Sequence, residues 1–186
     1  MRAVLESFLV STSVVALAEM GDKTQLLALM LAARYRSRLP IVAGIAVATV
    51  LNHALAAAFG NWLASLVEPG MLRWLLAGSF LAMAVWMLFP DKESGMKDGR
   101  SLGVFGTTLL AFFLVEMGDK TQIATVALAA RYPSLVAVVA GTTLGMLLAN
   151  VPVVYLGERL LRRVPLRLLQ RVAAASFAAL GLLALY

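Results

Sequence analysis

One nine-residue string, written twice, constrains this chain more than any other feature. Leu-Ala-Glu-Met-Gly-Asp-Lys-Thr-Gln occupies 17–25, and Leu-Val-Glu-Met-Gly-Asp-Lys-Thr-Gln occupies 114–122. The alignment continues without a gap at an offset of 97, and residues 19–35 and 116–132 agree at 12 of 17 positions. Gly44 then falls on Gly141, Gly60 on Gly157, and Ser79-Phe80 on Ser176-Phe177. The chain is two homologous halves, so its fold must hold two copies of one unit. Each copy places a cluster of charges inside a long apolar run.

Those runs cover 3–33, 40–66, 71–89, 102–130, 134–157 and 165–186. They are too long and continuous for strands. With 61% hydrophobic and 14% charged residues and a mean hydropathy of +0.88, the chain is far more apolar than a soluble domain at about 45–50%. Disorder is excluded, and an ordinary soluble enzyme is a poor fit. A spanning helix needs about 20 apolar residues, so six fit within 186 residues. The predicted fold is all-α and membrane-embedded: six transmembrane helices as two inverted three-helix repeats. Residues 1–90 form the first repeat, 91–101 a polar linker and 102–186 the second. The N-terminus imitates a signal peptide, with Ala16-Leu17-Ala18 as a cleavage site. Cleavage is not expected, because it would remove half of a helix whose counterpart cannot be cut.

An odd number of helices per half inverts the second half, and the basic residues test this. Arg2, Arg73 and Arg131 fall on one side. Arg34, Arg36, Arg38, Lys92, Lys97, Arg100, Arg159, Arg162, Arg163, Arg167 and Arg171 fall on the other. This three-to-eleven bias places both termini outside the cytoplasm. The net charge of +6 thereby reads as basic loops at a membrane face, not as a nucleic-acid surface. No cysteine is present, which removes disulfides and thiolate sites.

The first run is about 46 Å long as a straight helix, against a hydrocarbon core of about 30 Å. It must tilt, protrude or break, and a break at Gly21 is expected, with Gly118 repeating it in helix 4. Close helix packing at these glycines is the alternative. Glu19, Asp22, Glu116 and Asp119 then sit far from either membrane surface, where ionisable side chains mark an ion pathway. The i, i+3 spacing puts each Glu-Asp pair on one helix face, and the inverted repeat brings the pairs together. Converging carboxylates make a hard oxygen site suited to Mg²⁺, Ca²⁺ or Mn²⁺.

Four carboxylates with Lys23 and Lys120 sum to −2. One divalent cation or two protons neutralise that charge, and carboxylates in a low dielectric take up protons readily when no cation is bound. Metal/proton exchange at one shared site is the expected chemistry, with no resident cofactor. Thr24, Gln25, Thr121 and Gln122 offer further oxygen ligands, or helix–helix hydrogen bonds. Met20 and Met117 are packing residues before they are thioether ligands. Lys23 and Lys120 read as counter-charges. Asn52 and Asn150 are further candidate ligands or gates, and His53, aligned with Asn150, is a candidate proton carrier or gate. Gly141 and Gly145 form a packing face.

Two copies of Glu-x-Gly-Asp-Lys-Thr, each in the first helix of a three-helix half, resemble the signature of the transmembrane protein 165 family, the second Ca²⁺:cation antiporter family. The resemblance spans the whole chain. It implies export of Mn²⁺ or Ca²⁺ from the cytosol against protons, with Glu19, Asp22, Glu116 and Asp119 as the acidic motif and Lys23, Thr24, Lys120 and Thr121 completing it. The short loops resemble bacterial manganese exporters and imply an inner-membrane protein whose partners are lipid, the cation and protons, with no oligomer indicated. A Ca²⁺/H⁺ antiporter is the nearest alternative. A cation channel follows. An intramembrane aspartyl protease comes last, since a hydrolytic dyad does not require two identical Glu-Asp-Lys copies.

Overall fold

A computed structural model describes residues 1–89, 102–157 and 165–185. The linker 91–101 and Arg159, Arg162 and Arg163 lie outside the described residues. Among the described residues there are eight α-helices and no strand: α1 (Arg2–Glu19), α2 (Lys23–Tyr35), α3 (Arg38–Leu66), α4 (Pro69–Trp86), α5 (Gly103–Glu116), α6 (Lys120–Arg131), α7 (Leu135–Leu156) and α8 (Leu166–Leu183). At the offset of 97 the first four correspond in order to the last four.

Local chemistry sets the boundaries. Arg36 closes α2 in the left-handed region at φ 50°, with its N–H donating to the Ala32 carbonyl. Pro69 opens α4, where its missing N–H removes nothing from the helix. The Ser134 hydroxyl accepts from the Ala137 N–H and caps α7. The first apolar run is broken: α1 and α2 meet at 72° across Met20-Gly21-Asp22. Gly21 has φ 85° and Gly118, in the equivalent break between α5 and α6, φ 76°. L-residues avoid that region by about 1–2 kcal/mol, so glycine is what lets the chain turn there.

Three helices, α3, α4 and α7, are long and apolar enough to cross a membrane, and the bent pair α1–α2 makes a fourth candidate. The expected six crossings are therefore matched by length and composition at four segments. The fourth run is divided into α5 and α6, of 14 and 12 residues, and α8 carries Arg167 and Arg171 in its first turns. Polarity runs opposite to that of a soluble domain. Trp62, Trp74, Leu55, Val85 and Leu88 are exposed, whereas Glu19, Asp22, Asn52, His53, Glu116 and Asp119 are buried.

Packing follows the repeat. The most extensive crossing is α1 on α7, and its counterpart is α5 on α3. A Cβ at Gly141 would meet the Phe8 carbonyl oxygen at 2.5 Å and the Ser11 Cβ at 3.0 Å. One at Gly44 would meet the Phe105 oxygen at 3.0 Å and the Thr108 Cβ at 2.8 Å. Phe8 and Phe105 correspond, as do Ser11 and Thr108, so the two crossings are copies. A Cβ at Gly145 would meet the Thr12 carbonyl oxygen at 2.7 Å, so Gly141 and Gly145 do form a packing face. Phe80 and Phe177, themselves counterparts, stack with centroids 6.4 Å apart where α4 meets α8.

Candidate metal centre

The breaks create the site. Each ends one half-helix at a glutamate and starts the next after an aspartate, so Glu19 and Asp22, like Glu116 and Asp119, flank a Met-Gly pair, with the aspartate itself outside the helix as the cap of the next. The Asp22 N–H donates to the Glu19 carbonyl at 3.1 Å, and the Asp119 N–H to the Glu116 carbonyl at 3.1 Å. The turn is thus closed identically twice. It is also braced twice by motif side chains. The Gly21 N–H donates to Gln25 Oε1 at 2.9 Å, and the Gly118 N–H to Gln122 Oε1 at 2.7 Å. The Thr24 hydroxyl donates to Glu19 Oε2 at 2.6 Å, and the Thr121 hydroxyl to Glu116 Oε2 at 3.0 Å.

Carboxylate oxygens of Glu19, Asp22 and Asp119 all lie within 4.8 Å of one another, and all three residues are buried. Two come from the first half and one from the second. Glu116 is fully buried and stands outside this trio, within electrostatic reach of Glu19, Asp119 and Lys23. Glu19 Oε1, Glu116 Oε1, Asp119 Oδ2 and Asn150 Oδ1 are buried without a hydrogen-bond partner among the described residues. An ionised carboxylate only accepts, and leaving a buried acceptor unmet is expensive. Several such oxygens facing one another are the donor set that could hold a hard cation.

Lys23 supplies one fixed counter-charge, and it does so across the repeat. Its Nζ lies 2.9 Å from Asp119 Oδ1. Lys120, also buried, donates to the Phe89 carbonyl at 3.1 Å. The remaining polar candidates divide. Asn150 and Thr121 both face Glu19, and the Asn150 amide donates to the Met146 carbonyl at 3.1 Å. Asn52 donates to the Phe113 carbonyl at 3.0 Å and takes a long 3.5 Å contact from Gln122. Gln25 donates to the Ala149 carbonyl at 2.9 Å, tying the first break to α7. His53 is buried, and neither ring nitrogen has a hydrogen-bond partner among the described residues. Met117 is 57% exposed and turns away from the carboxylates.

Two features escape a reading of the sequence by composition and depth. The threonines and glutamines act first as braces, donating to glutamate and accepting from glycine. The signal was present in the Glu-x-x-x-x-Thr and Gly-x-x-x-Gln spacings. The carbonyls of Phe89 and Ala149 carry no residue-type signal at all.

A family model described as divalent cation/proton antiporter GDT1 matches residues 7–95 and 104–186. A protein of Vibrio cholerae serotype O1, provisionally named a manganese exporter, is 49% identical over 180 residues, covering 96% of this chain and 90% of its own. A GDT1-like protein of Synechocystis sp. is 26% identical over 151 residues, covering 68% of this chain and 71% of its own. No solved structure matches the chain.

Proposed function

Because the chain belongs to the GDT1 family of divalent cation/proton antiporters, we propose that it exports Mn²⁺ in exchange for protons, both cargoes using the carboxylates at the two helix breaks. The observation that carries this is the buried trio Glu19, Asp22 and Asp119, drawn from both halves, with an unmet oxygen on Glu19 and on Asp119 among the described residues. Three carboxylates and Lys23 sum to −2. One divalent cation cancels that charge, and so do two protons, which is the condition for exchange at one site. Glu116 and Asn150 stand near enough to join the ligand set as the cation moves. An oxygen donor set suits Mn²⁺ and Ca²⁺ alike, and the name of the Vibrio relative favours Mn²⁺.

The six apolar segments cross the membrane as two three-helix halves of opposite orientation. The pairs α1–α2 and α5–α6 each form one broken crossing, with the site near the midplane. Broken helices at a repeat interface suit a carrier that exposes one site to each side in turn. The arginine-rich loops face the cytoplasm of a bacterial inner membrane, with both termini on the opposite side.

The test is flux in proteoliposomes with a trapped pH reporter, Mn²⁺ and Ca²⁺ side by side, with Asp22→Asn and Asp119→Asn as variants. Mn²⁺ entry should drive proton counterflow, and both variants should lose it. Flux with no proton movement would refute exchange. Flux that survives both substitutions would refute the site.

A further inference from the structure

The halves are copies in sequence, yet one pair of equivalent contacts differs sharply. A Cβ at Gly60 on α3 would collide with the Val126 carbonyl oxygen of α6. The corresponding glycine, Gly157, caps the C-terminus of α7, and among the described residues a Cβ there would meet nothing nearer than the Leu29 Cδ1 of α2, at 3.9 Å. Leu29 and Val126 are counterparts at the offset of 97. The same joint is therefore shut in one half and ajar in the other. Burial agrees: Ala129 is 3% exposed and Ala127 5%, whereas their counterparts Ala32 and Met30 are half-buried and 48% exposed. A cavity of about 480 Å³ opens at the loose joint, lined by Leu29, Ala32, Arg36, Tyr155 and Gly157 among others. By contrast, the α1–α7 and α5–α3 crossings are close in both halves, at Gly141 and Gly44.

Equivalent contacts that agree mark what stays fixed, and equivalent contacts that disagree mark what moves. We infer that α2 and α6 are the two gates of this carrier, swinging about Gly21 and Gly118 against a fixed frame of α1, α3, α5 and α7. The Gly60–Val126 joint seals one side while the Gly157–Leu29 joint is open. In the alternate state Gly157 closes on the α2 backbone, and α6 withdraws from Gly60. This rests on the carrier reading above and goes beyond it, since it names which joint closes each side. The site lies at the hinge of both gates, so cargo seated among Glu19, Asp22 and Asp119 touches the residue that caps the start of each moving half-helix. The open joint lies on the side of the Arg34–Arg38 loop.

The chain has no cysteine, so single cysteines report directly. Ala32→Cys and Ala129→Cys are placed separately and labelled with a membrane-impermeant maleimide in vesicles of known orientation. Ala32→Cys should react at least about tenfold faster, from the side of the Arg34–Arg38 loop. Adding Gly60→Ala forces the seal open, so it should raise Ala129→Cys labelling about fivefold and lower that of Ala32→Cys. Leu29→Trp fills the open joint and should do the opposite to Ala129→Cys while leaving Ala32→Cys reactive. Equal labelling of both sites in the parent background would overturn the assignment. So would a Gly60→Ala or Leu29→Trp effect of the same sign at both sites. None of these readouts needs cargo. A chain that moves neither metal yet shows the switch keeps the gates and loses the proposed transport, whereas flux with symmetric labelling does the reverse.

Discussion

Gly118→Ala isolates the backbone of the second break. An added Cβ meets no atom within 4 Å, so collision plays no part. What remains is the conformation: φ is 76°, where an L-residue is disfavoured by about 1–2 kcal/mol. A chain of 150–250 residues loses about 2–4 °C in Tm per kcal/mol, so a drop of about 2–8 °C is expected. The experiment is a thermal scan of detergent-solubilised protein at a fixed rate, beside the parent chain. Gly118→Asn is the decisive companion, because asparagine tolerates the left-handed region better than alanine and should recover part of the loss. Mn²⁺ flux should fall and recover in step, since the same turn presents Asp119 and donates to Gln122. An unshifted Tm for Gly118→Ala, or an asparagine variant no better than alanine, would refute the reasoning.

Lys23→Gln removes the positive charge 2.9 Å from Asp119. The carboxylate trio then holds a divalent cation more tightly and releases it more slowly, so initial-rate kinetics should show KM and maximal rate for Mn²⁺ falling together. Gly141→Ala drives a Cβ to 2.5 Å from the Phe8 oxygen and should destabilise by about 1–3 kcal/mol as overpacking. Gly78→Ala, also helical but with nothing within 4 Å, should raise the melting temperature in the same assay, because helical glycine costs about 0.5–1 kcal/mol relative to alanine.

What could be read from the sequence was what local spacing determines. The length of the first apolar run and the glycine within it anticipate the break at Met20-Gly21-Asp22, and the repeat anticipates its copy. The i, i+3 spacing of the acids predicts one shared helix face, but the break puts each glutamate at the end of one half-helix and its aspartate at the cap of the next, so the turn and not a common face brings them together. How the acids divide at that site is less legible. The structure gathers Glu19, Asp22 and Asp119 and leaves Glu116 to one side, because distance across two half-helices depends on how far each has swung. Lys23 shows the same limit. Its position along α2 directs it away from Asp22, and only the packing of the halves decides that its partner is Asp119. The difference between the Gly60 and Gly157 joints is wholly illegible. The halves match closely at the motif but differ around these glycines, Ala58-Phe59-Gly60-Asn61 against Tyr155-Leu156-Gly157-Glu158, and no spacing in either string says which of the two contacts is close.

The ion pair between Lys23 and Asp119 also bears on how such a molecule can change over generations. Were each half a separate protomer in a symmetric pair, every substitution would strike both motifs at once. Fusing the copies into one chain frees each acid to be altered singly. Lys23 already serves a carboxylate of the other half, while Lys120 donates to the Phe89 carbonyl. The duplicated string therefore sits in two different surroundings, and each of its acids is open to alteration on its own.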